Sequence, residues 1–373
     1  MLLQNTTAYL HHAFHAGVDL RVSEGRIQAL GKGLCPLPGE TVLPCDGDYI
    51  LPGFVDVHIH AFRRHDTMQG EDAVRAMARD LRAEGVAAFC PTTMSASIED
   101  TRRAVDAVRR VMLQPEPEGA RVLGAHMEAP FLSEKHAGAQ QAEFFRDPDW
   151  DDFLEMAGDP SAVRLMTMAP ERKGSEAFIR RATAAGVHIS VGHTDASAET
   201  LHRAGDWGAD HITHTFNAQT PLHHRNPGVP GAALTDDRFF CELICDGIHL
   251  HRDTVRLSVR AAGASRAVAI TDAMEAAGMP DGVYTLGGQK VIVRDQAARL
   301  EDGTLAGSVL TMPAALENLI LRFGIPPETA CAMCTSTPAS SIGEEKAGRI
   351  GPGSPVPLTR WNRNWHMTKV FHV

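Results

Sequence analysis

The chain has 373 residues, of which 43% are hydrophobic, and a formal net charge of −10. This length and apolar content allow one large barrel or two ordinary domains with a substantial core, and they argue against disorder. The acidic charge argues against nucleic acid or an anionic membrane as a partner, because both bind basic surfaces. A local basic pocket for a small anion remains compatible with it.

The first twenty residues contain histidines and polar side chains where a signal peptide needs a basic start and an unbroken apolar core. No later run is long enough to span a bilayer. Seven cysteines, an odd number scattered along the chain, fit reduced thiols better than a disulfide framework. These features predict a cytoplasmic protein.

The two ends of the chain have a β-like character. Residues 18–27 alternate apolar and polar side chains around a turn at Glu24-Gly25, and the last 25 or so residues are extended and rich in proline and glycine. We predict that residues 1–50 and 346–373 pair as a small β-sandwich domain beside the main body.

From residue 54 to about residue 274, short apolar runs alternate with amphipathic stretches of helical spacing. The apolar runs predict eight strands, at residues 54–60, 86–93, 121–128, 163–169, 188–194, 211–217, 240–249 and 267–272. Clear helical segments lie between them, for example at residues 73–84, 99–112, 175–185 and 197–205. This rhythm predicts an α/β fold, a TIM-type (β/α)8 barrel with its active site at the C-terminal ends of the strands.

Residues 282–307 interrupt the alternation after the eighth strand. Extended runs at 289–294 and 299–300 are separated by polar turns, which predicts a hairpin near the mouth of the barrel. The predicted barrel domain, with this insertion, covers residues 51–345.

Polar side chains follow the ends of the predicted strands. His58 and His60 alternate at the end of the first strand, so they point to the same side of it. Imidazole nitrogens and carboxylate oxygens are the ligands of a zinc-type ion in a catalytic site. The sequence therefore predicts a metal-dependent active site on this rim, to which the other strands contribute Glu128, His193, His214, His249 and Asp272.

Such a site has a definite chemistry. An ion held there would lower the pKa of its bound water, supply hydroxide as the nucleophile and polarise a carbonyl. Asp272 would accept the proton as a general base and return it to the leaving nitrogen as a general acid, which is what amide hydrolysis requires. The place of Asp272 just after a strand also fits a helix N-cap, and the two roles are compatible.

The motif Leu51-Pro52-Gly53-Phe54-Val55-Asp56-Val57-His58-Ile59-His60 resembles the opening strand of the amidohydrolase superfamily. Over nearly the whole chain, further motifs are similar, in order, to those of the N-acetylglucosamine-6-phosphate deacetylase family. They are His126-Met127-Glu128-Ala129-Pro130-Phe131, Gly192-His193-Thr194, Thr213-His214-Thr215-Phe216-Asn217-Ala218, Asp246-Gly247-Ile248-His249, Thr271-Asp272-Ala273 and Leu305-Ala306-Gly307-Ser308.

This resemblance implies that Glu128, His193 and His214 hold one divalent metal, with Zn²⁺ as the first choice. His58 and His60, with a bridging Glu128, would hold a second ion, so one or two metals bind per subunit. The implied reaction is metal-dependent hydrolysis of the acetamide of N-acetyl-D-glucosamine 6-phosphate to D-glucosamine 6-phosphate and acetate, with metal-bound hydroxide as nucleophile and Asp272 as the catalytic acid and base.

The resemblance also implies the substrate contacts. Arg225 would bind the phosphate, because a guanidinium gives bidentate hydrogen bonds to phosphate oxygens. In such enzymes this arginine can serve the neighbouring subunit, so a homodimer is implied. The remaining implied contacts to the amino-sugar phosphate are Gln140, Asn217, Ala218, His249, Ala306, Gly307 and Ser308.

The chain departs from the family pattern near the mouth of the site. Arg63 and Arg64 lie where the family has a glycine-rich turn, Ala129 replaces a glycine, and Gln140 replaces a histidine. These departures keep the metal ligands but leave the sugar open. The galactosamine epimer, an unphosphorylated N-acetylhexosamine and another amidohydrolase substrate remain alternatives.

Three other classes fit the sequence less well. A nucleobase deaminase is compatible with the metal ligands, but the motifs Asn217-Ala218 and Gly307-Ser308 favour a sugar substrate. A cyclic-amide hydrolase of the dihydropyrimidinase type needs a carbamylated lysine at a strand end, and none of the six lysines lies at the end of a predicted strand. A scaffold without catalytic activity would be expected to lack some ligands or the acid/base residue, whereas here every position is filled.

Overall fold

A computed structural model describes residues 1–372 of the chain. We number its strands β1–β21 and its helices α1–α10 in chain order. Strands from both chain ends form one mixed sheet, and the strands between them form a parallel barrel.

The terminal sheet has seven strands, β1 (Leu2–Leu10), β2 (Ala13–Ser23), β3 (Arg26–Gly31), β4 (Val42–Pro44), β5 (Tyr49–Pro52), β20 (Leu358–Trp361) and β21 (Met367–Phe371). Their order is β21-β20-β5-β1-β2-β3, and β4 pairs with β1. The predicted turn at Glu24-Gly25 joins β2 to β3, and both of its residues have positive φ, as a tight hairpin turn requires.

The hairpin of β2 and β3 also contacts the segment that leads into β20. The backbone N–H of Ile27 donates to the carbonyl of Ser354, and the N–H of Val356 donates to the carbonyl of Gly25. Apolar side chains from both chain ends share one core, which contains Leu3, Leu20, Ile27, Ile50, Leu358 and Phe371. The predicted pairing of the chain ends is therefore confirmed, while the domain boundaries at residues 50 and 346 stay a prediction.

The predicted TIM-type barrel is confirmed. Its strands are β6 (Phe54–Ile59), β9 (Val86–Thr93), β10 (Arg121–Val122) with β11 (Ala125–Met127), β12 (Val163–Met168), β13 (His188–Val191), β14 (His211–Ile212), β15 (Phe240–Ile244) and β16 (Ala267–Ile270). Neighbouring strands pair in parallel from β6 to β16. The ring closes beyond the strand ends, where the N–H of Asp272 donates to the carbonyl of His58 at 2.9 Å.

Helices cover the barrel. They are α1 (Glu71–Ala83), α2 (Ile98–Leu113), α3 (Trp150–Ala157), α4 (Ser175–Ala184), α5 (Ala198–Trp207), α6 (Gly228–Thr235), α7 (Arg252–Ala262), α8 (Met312–Glu317), α9 (Pro327–Cys334) and α10 (Ser336–Ser341). In α1, the side chains of Val74, Met77 and Leu81 recur at helical spacing and are buried. That apolar face packs against the barrel, as the amphipathic pattern predicts.

The predicted hairpin is a three-stranded antiparallel sheet of β17 (Gly282–Leu286), β18 (Gln289–Arg294) and β19 (Ala297–Arg299). Alternate residues of these strands face one side. That side packs Leu286 and Val291 in one cluster with Met94 and Met274, beside the C-terminal ends of the barrel strands. Two short strands, β7 (Ala61–Phe62) and β8 (His65–Asp66), form a separate ribbon after β6.

Three barrel strands end three to five residues earlier than predicted. The predicted strands 188–194, 211–217 and 240–249 end at Val191, Ile212 and Ile244. The cause is left-handed backbone, with φ of 47° at His193, 29° at His214 and 77° at Gly247. An extended strand cannot continue through such residues.

Among residues 1–372, no helix combines the length and the apolarity that a bilayer crossing needs. All seven cysteines are free, and all but the exposed Cys35 are buried. All six buried thiols have raised pKa values because burial opposes their ionisation.

Candidate active site

The C-terminal ends of the barrel strands bring six of the predicted residues into one buried cluster. They come from segments far apart in the chain, and their ring and carboxylate atoms meet at hydrogen-bonding distance. The six residues are His58, His60, Glu128, His193, His214 and Asp272.

The first potential metal group contains Glu128, His193 and His214. Glu128 Oε1 lies 3.3 Å from His193 Nε2 and 3.0 Å from His214 Nε2, and the two Nε2 atoms are 3.1 Å apart. The Nδ1–H of His193 donates to the carbonyl of His136 at 2.8 Å. In the neutral imidazole, Nε2 of His193 is then unprotonated and presents its lone pair to the group.

The second potential group contains His58, His60 and Glu128. The Nε2 atoms of the two histidines are 3.4 Å apart, and they lie 3.4 Å and 3.1 Å from oxygens of Glu128. Asp272 Oδ1 is 3.2 Å from His60 Nε2 and 3.5 Å from His58 Nε2. Glu128 therefore belongs to both groups, and Asp272 adjoins the second.

These separations fit bound cations. A tetrahedral ion with ligand bonds of about 2.0–2.1 Å keeps its ligand atoms about 3.3 Å apart. Every pair within the two groups is 3.0–3.4 Å apart. Unprotonated imidazole nitrogens at this distance repel each other unless a cation or a proton lies between them. The donor set and its spacing therefore suit divalent ions, with Glu128 shared.

The local charges keep both carboxylates ionised. Burial opposes ionisation of Glu128, but the imidazoles of His58, His193 and His214 outweigh it and hold the pKa of Glu128 well below its usual value. For Asp272, burial is likewise outweighed by His58 and His60, and the pKa is lowered to about 2. Asp272 is therefore able to accept a proton at neutral pH.

The site is built on strained backbone. His193, His214 and Asp272 have φ of 47°, 29° and 49°, and such conformations cost about 1–3 kcal/mol each. Backbone hydrogen bonds hold them in place, since Ser133 N–H donates to the carbonyl of His193 at 2.8 Å and Ser308 N–H to that of Asp272 at 2.7 Å. Each of the three side chains thereby turns from its strand end into the site.

Glu242 is a buried residue of the site that the sequence analysis missed. It lies in β15 inside the barrel, and its Oε2 accepts hydrogen bonds from His58 Nδ1 at 3.0 Å and from the backbone N–H of His214 at 3.1 Å. Accepting from Nδ1 leaves His58 Nε2 free to bind a metal. A carboxylate within an otherwise apolar buried strand is the sequence signal that could have revealed it.

Replacing Glu242 is expected to weaken the site without removing a ligand. Glu242→Ala should lower metal affinity or kcat by about 10–100-fold, because His58 loses the acceptor that fixes its ring. Glu242→Gln keeps an acceptor but loses the charge, so its effect should be smaller. Metal content after dialysis against a metal buffer, together with kcat, measures both variants. Full metal content and full kcat in a folded Glu242→Ala protein would contradict this role.

Gln140 contacts a metal-ligand candidate directly. Its Oε1 accepts from the backbone N–H of Ser95 at 2.7 Å, which points its amide nitrogen at Glu128 Oε2, also at 2.7 Å. Gln140 thus orients the shared carboxylate. It also lines the pocket above the cluster, and its predicted contact with substrate stays a prediction.

The pocket above the cluster has a volume of about 350 Å³. Of the eight predicted substrate contacts, Gln140, Asn217, Ala218, His249 and Gly307 line it. The hairpin and the segment after it add three residues that the sequence analysis did not single out as substrate contacts, Leu286, Thr304 and Leu305.

His249 is oriented toward this pocket by its neighbour. Its Nδ1–H donates to Asp246 Oδ2 at 2.7 Å, so Nε2 is the atom left for a ligand. Asp246 also accepts the backbone N–H groups of Ile248 and His249, which forms the turn after β15. Burial opposes ionisation of Asp246, but His249 and these donors outweigh it and lower the pKa.

The remaining predicted contacts lie elsewhere. Ser308 is buried beneath Asp272, where its hydroxyl donates to the carbonyl of Thr271 at 2.6 Å, and Ala306 is fully buried. Arg225 is exposed beside His224 and does not line the pocket of its own chain. Their roles toward substrate stay predictions.

The two arginines near the mouth face away from the pocket lining. Arg63 forms an ion pair with Glu84 at 2.6 Å, and the guanidinium of Arg64 lies 5.0 Å from the ring centre of Tyr284. Both have positive φ in the turn between β7 and β8. In this arrangement neither is placed to contact a ligand above the metal groups.

Known proteins resemble this chain over most of its length. The profile of the Amidohydrolase family matches residues 49–370. The N-acetylglucosamine-6-phosphate deacetylase of Lysinibacillus sphaericus is 36% identical over 355 residues, which is 95% of this chain and 91% of that protein. The N-acetylgalactosamine-6-phosphate deacetylase of Escherichia coli O157:H7 is 34% identical over 356 residues, or 95% and 93% of the two chains.

The fold agrees with these relatives. A solved structure of a mutant N-acetyl-D-glucosamine-6-phosphate deacetylase from Mycobacterium smegmatis, in complex with N-acetyl-D-glucosamine-6-phosphate, has a TM-score of 0.92 and 31% identity, and the match covers 100% of this chain and 97% of that chain. The corresponding enzyme of Thermotoga maritima has a TM-score of 0.89 and 32% identity, covering 100% and 98%. The chain therefore belongs to the amidohydrolase family and, within it, to the N-acetylglucosamine-6-phosphate deacetylases.

Proposed function

We propose that this enzyme hydrolyses the acetamide of N-acetyl-D-glucosamine 6-phosphate to D-glucosamine 6-phosphate and acetate. It would thus act as a carbon–nitrogen hydrolase on a linear amide. The observation that carries the proposal is the meeting of four imidazoles and two carboxylates beneath one pocket. Family membership supports the same reaction.

The family is metal-dependent, and the two groups of ligands support Zn²⁺ as the ion, with one or two per subunit. A divalent ion bound here lowers the pKa of water and polarises the acetamide carbonyl. Glu128, His193 and His214 would hold one ion, and His58, His60 and Glu128 would hold the other.

The protein's own side chains carry the proton transfers and the orientation of the sugar. Asp272 is ionised at neutral pH, so it takes a proton during nucleophilic attack and returns it to the amide nitrogen as the C–N bond breaks. His249 Nε2, the Asn217 amide and the Ala218 main chain line the pocket and would hydrogen bond the sugar. The substrate then lies with its acetamide over the cluster.

N-acetyl-D-galactosamine 6-phosphate is a second candidate substrate, because a relative of that specificity is 34% identical over 95% of this chain. Acetate release from both sugars, each with and without the 6-phosphate, separates the candidates. We expect the phosphorylated glucosamine compound to be favoured by at least about tenfold in kcat/KM, or about 1.4 kcal/mol. A preference for the galactosamine epimer would establish the second candidate instead.

We also propose a homodimer in which Arg225 binds the phosphate in the neighbouring subunit's site. Arg225 is exposed and does not line the pocket of its own chain, which supports this arrangement. Arg225→Ala should remove most of the preference for the 6-phosphate. An unchanged ratio of kcat/KM values with and without phosphate would contradict the role.

Mixing subunits tests the arrangement in trans. In a dimer of one Arg225→Ala subunit and one Asp272→Asn subunit, the first has an intact Asp272 and receives Arg225 from the second. Activity at low substrate concentration should therefore exceed that of either variant alone. If each arginine serves its own subunit, no site is complete and mixing restores nothing.

A cytoplasmic location is also proposed. Seven free cysteines support it, because free thiols are typical of a reducing compartment.

A further inference from the structure

A large cavity lies at the opposite end of the barrel from the active site. It has a volume of about 790 Å³ and is lined by Gly53, Ala88 and Arg121, which stand at or near the N-terminal ends of the first three barrel strands. The terminal sheet closes it on the other side with Tyr9 and the segment 351–356. We call this space the basal cavity.

The basal cavity is lined by cations in a chain whose net charge is −10. Among residues 1–372, Arg26, Lys346 and Arg349 have no carboxylate oxygen within 4.0 Å of their charged nitrogens. The guanidinium of Arg26 donates to the carbonyl of Gly353, and that of Arg349 donates to the carbonyl of Glu345 and the hydroxyl of Ser340. Their positive charge is therefore not neutralised by a described side chain.

Other basic residues surround the same space. Arg82 lines it, and so does Arg121, which forms an ion pair with Glu344. Glu345 is the single acidic residue of the lining. A small anion is attracted most strongly where several cations converge and few carboxylates are present. The balance of charge in the lining therefore favours a ligand with more than one negative charge.

A buried hydroxyl supplies a second observation. Ser336 is 3% exposed, lines the basal cavity, and its Oγ has no hydrogen-bond partner. Nε of Arg82 is also buried without a partner. Buried polar groups usually have hydrogen-bond partners, so these two groups add unused hydrogen-bonding capacity to the residues that line the cavity.

We propose that the basal cavity binds an organic phosphate, such as a nucleoside monophosphate or a sugar phosphate. A phosphomonoester carries nearly two negative charges at neutral pH, and guanidinium groups bind its oxygens in pairs. The volume lies within the range of small-molecule sites. Pro52, Ile350 and Val356 give the lining an apolar part that suits the organic body.

Calorimetric titration of the whole enzyme with AMP, glucose 6-phosphate and inorganic phosphate, at constant ionic strength, tests this proposal. At least one of the two esters should bind with a Kd below about 1 mM, more tightly than inorganic phosphate. Its affinity should fall as salt is added, because the cations are partly exposed.

Variants then locate the binding. Arg26→Gln with Arg349→Gln should raise the Kd of that ester by at least about tenfold, or about 1.4 kcal/mol. Lys346→Gln, at an exposed position that tolerates change, should raise it by a smaller factor. Arg256→Gln is the matched control, because Arg256 is a half-buried arginine without an ion pair on α7, outside the lining of the cavity. It should leave the Kd unchanged.

Other outcomes overturn the proposal. Binding that persists in both cavity variants would place the ester elsewhere, for instance in the active site, which is also expected to accept sugar phosphates. If inorganic phosphate binds as tightly as both esters, the organic part of the ligand contributes nothing to binding, and the proposal of an organic phosphate is wrong. If neither ester binds with a Kd below about 1 mM, the proposal is wrong.

Discussion

Exhaustive chelation is expected to reduce acetate release by about 10³-fold or more, which corresponds to about 4 kcal/mol of transition-state stabilisation. The reason lies in the residues of the cluster. Apart from Asp272 they are the proposed metal ligands, and none of them is a nucleophile for an amide. Without a cation, their imidazoles and carboxylates neutralise one another through protons instead, as the pKa of His60, raised to about 9 by Asp272 and Glu128 against the opposing effect of burial, indicates.

The same experiment has a structural readout. An ion that binds only the folded state stabilises it by about 4 kcal/mol when its concentration is a thousand times its Kd. The chelated protein should therefore remain folded at room temperature but melt at a lower temperature, and addition of Zn²⁺ should restore both the melting temperature and the rate. Elemental analysis would count one or two ions per chain.

A matched pair of histidine variants locates the ion. His193→Ala should lower the bound metal, because His193 belongs to the group with Glu128 and His214. His188→Ala is the control, since His188, with Asp210 and His211, forms another group of possible ligands at the opposite end of the barrel. It should keep the metal content and the rate. A chelated protein with negligible metal and a full rate would refute the mechanism.

The fold could be predicted from the sequence because its signals are local and repeated. Most barrel strands are short, mainly apolar runs, and helices such as α1 have a one-sided apolar face. The eight-fold alternation could therefore be recognised from the sequence without knowledge of tertiary contacts. The hairpin at 282–307 could also be predicted, because apolar and polar residues alternate along its strands and its turns are polar.

The ends of the strands could not be predicted from that pattern. His193 and His214 continue apolar runs in the sequence, and an alternating pattern does not reveal left-handed φ at a non-glycine residue. Tertiary hydrogen bonds hold these residues, such as that from Ser133 to the carbonyl of His193. The strained backbone occurs at the residues whose side chains turn into the site, and contacts with the surrounding barrel stabilise it there.

Within the site, the sequence identified candidate ligands better than the residues that position them. The six clustered residues lie at or just after strand ends, where parallel strands present side chains to one rim. Glu242 lies within a strand, and its inward direction depends on the register of the whole barrel. Ser308 belongs to a motif near the site, yet only the structure places its hydroxyl on Thr271 rather than in the pocket.

Asp272→Asn is the single substitution with the largest expected effect, a loss of about 10³-fold or more in kcat. Asparagine has nearly the same shape but cannot accept a proton at neutral pH. The backbone should not move, because the N–H of Asp272 donates to the carbonyl of His58 and its own carbonyl accepts from Ser308, and neither bond uses the side chain. The KM should change little, since the substituted group acts on the proton and not on the sugar.

The controls for this variant separate proton transfer from assembly of the site. Asp281→Asn, at an exposed position beside the hairpin, should retain the full rate. It shows whether the same Asp-to-Asn change has any effect when it is made outside the site. The metal content and melting temperature of Asp272→Asn should stay close to those of the wild type, because the imidazoles and Glu128 remain. If the variant keeps its metal and also keeps more than about a tenth of the kcat, Asp272 is not the proton carrier, and the base must be sought elsewhere in the pocket. His249 would then be the next group to replace, because it lines the pocket, is not a proposed metal ligand, and has its Nδ1 held by Asp246 so that Nε2 is left for the substrate.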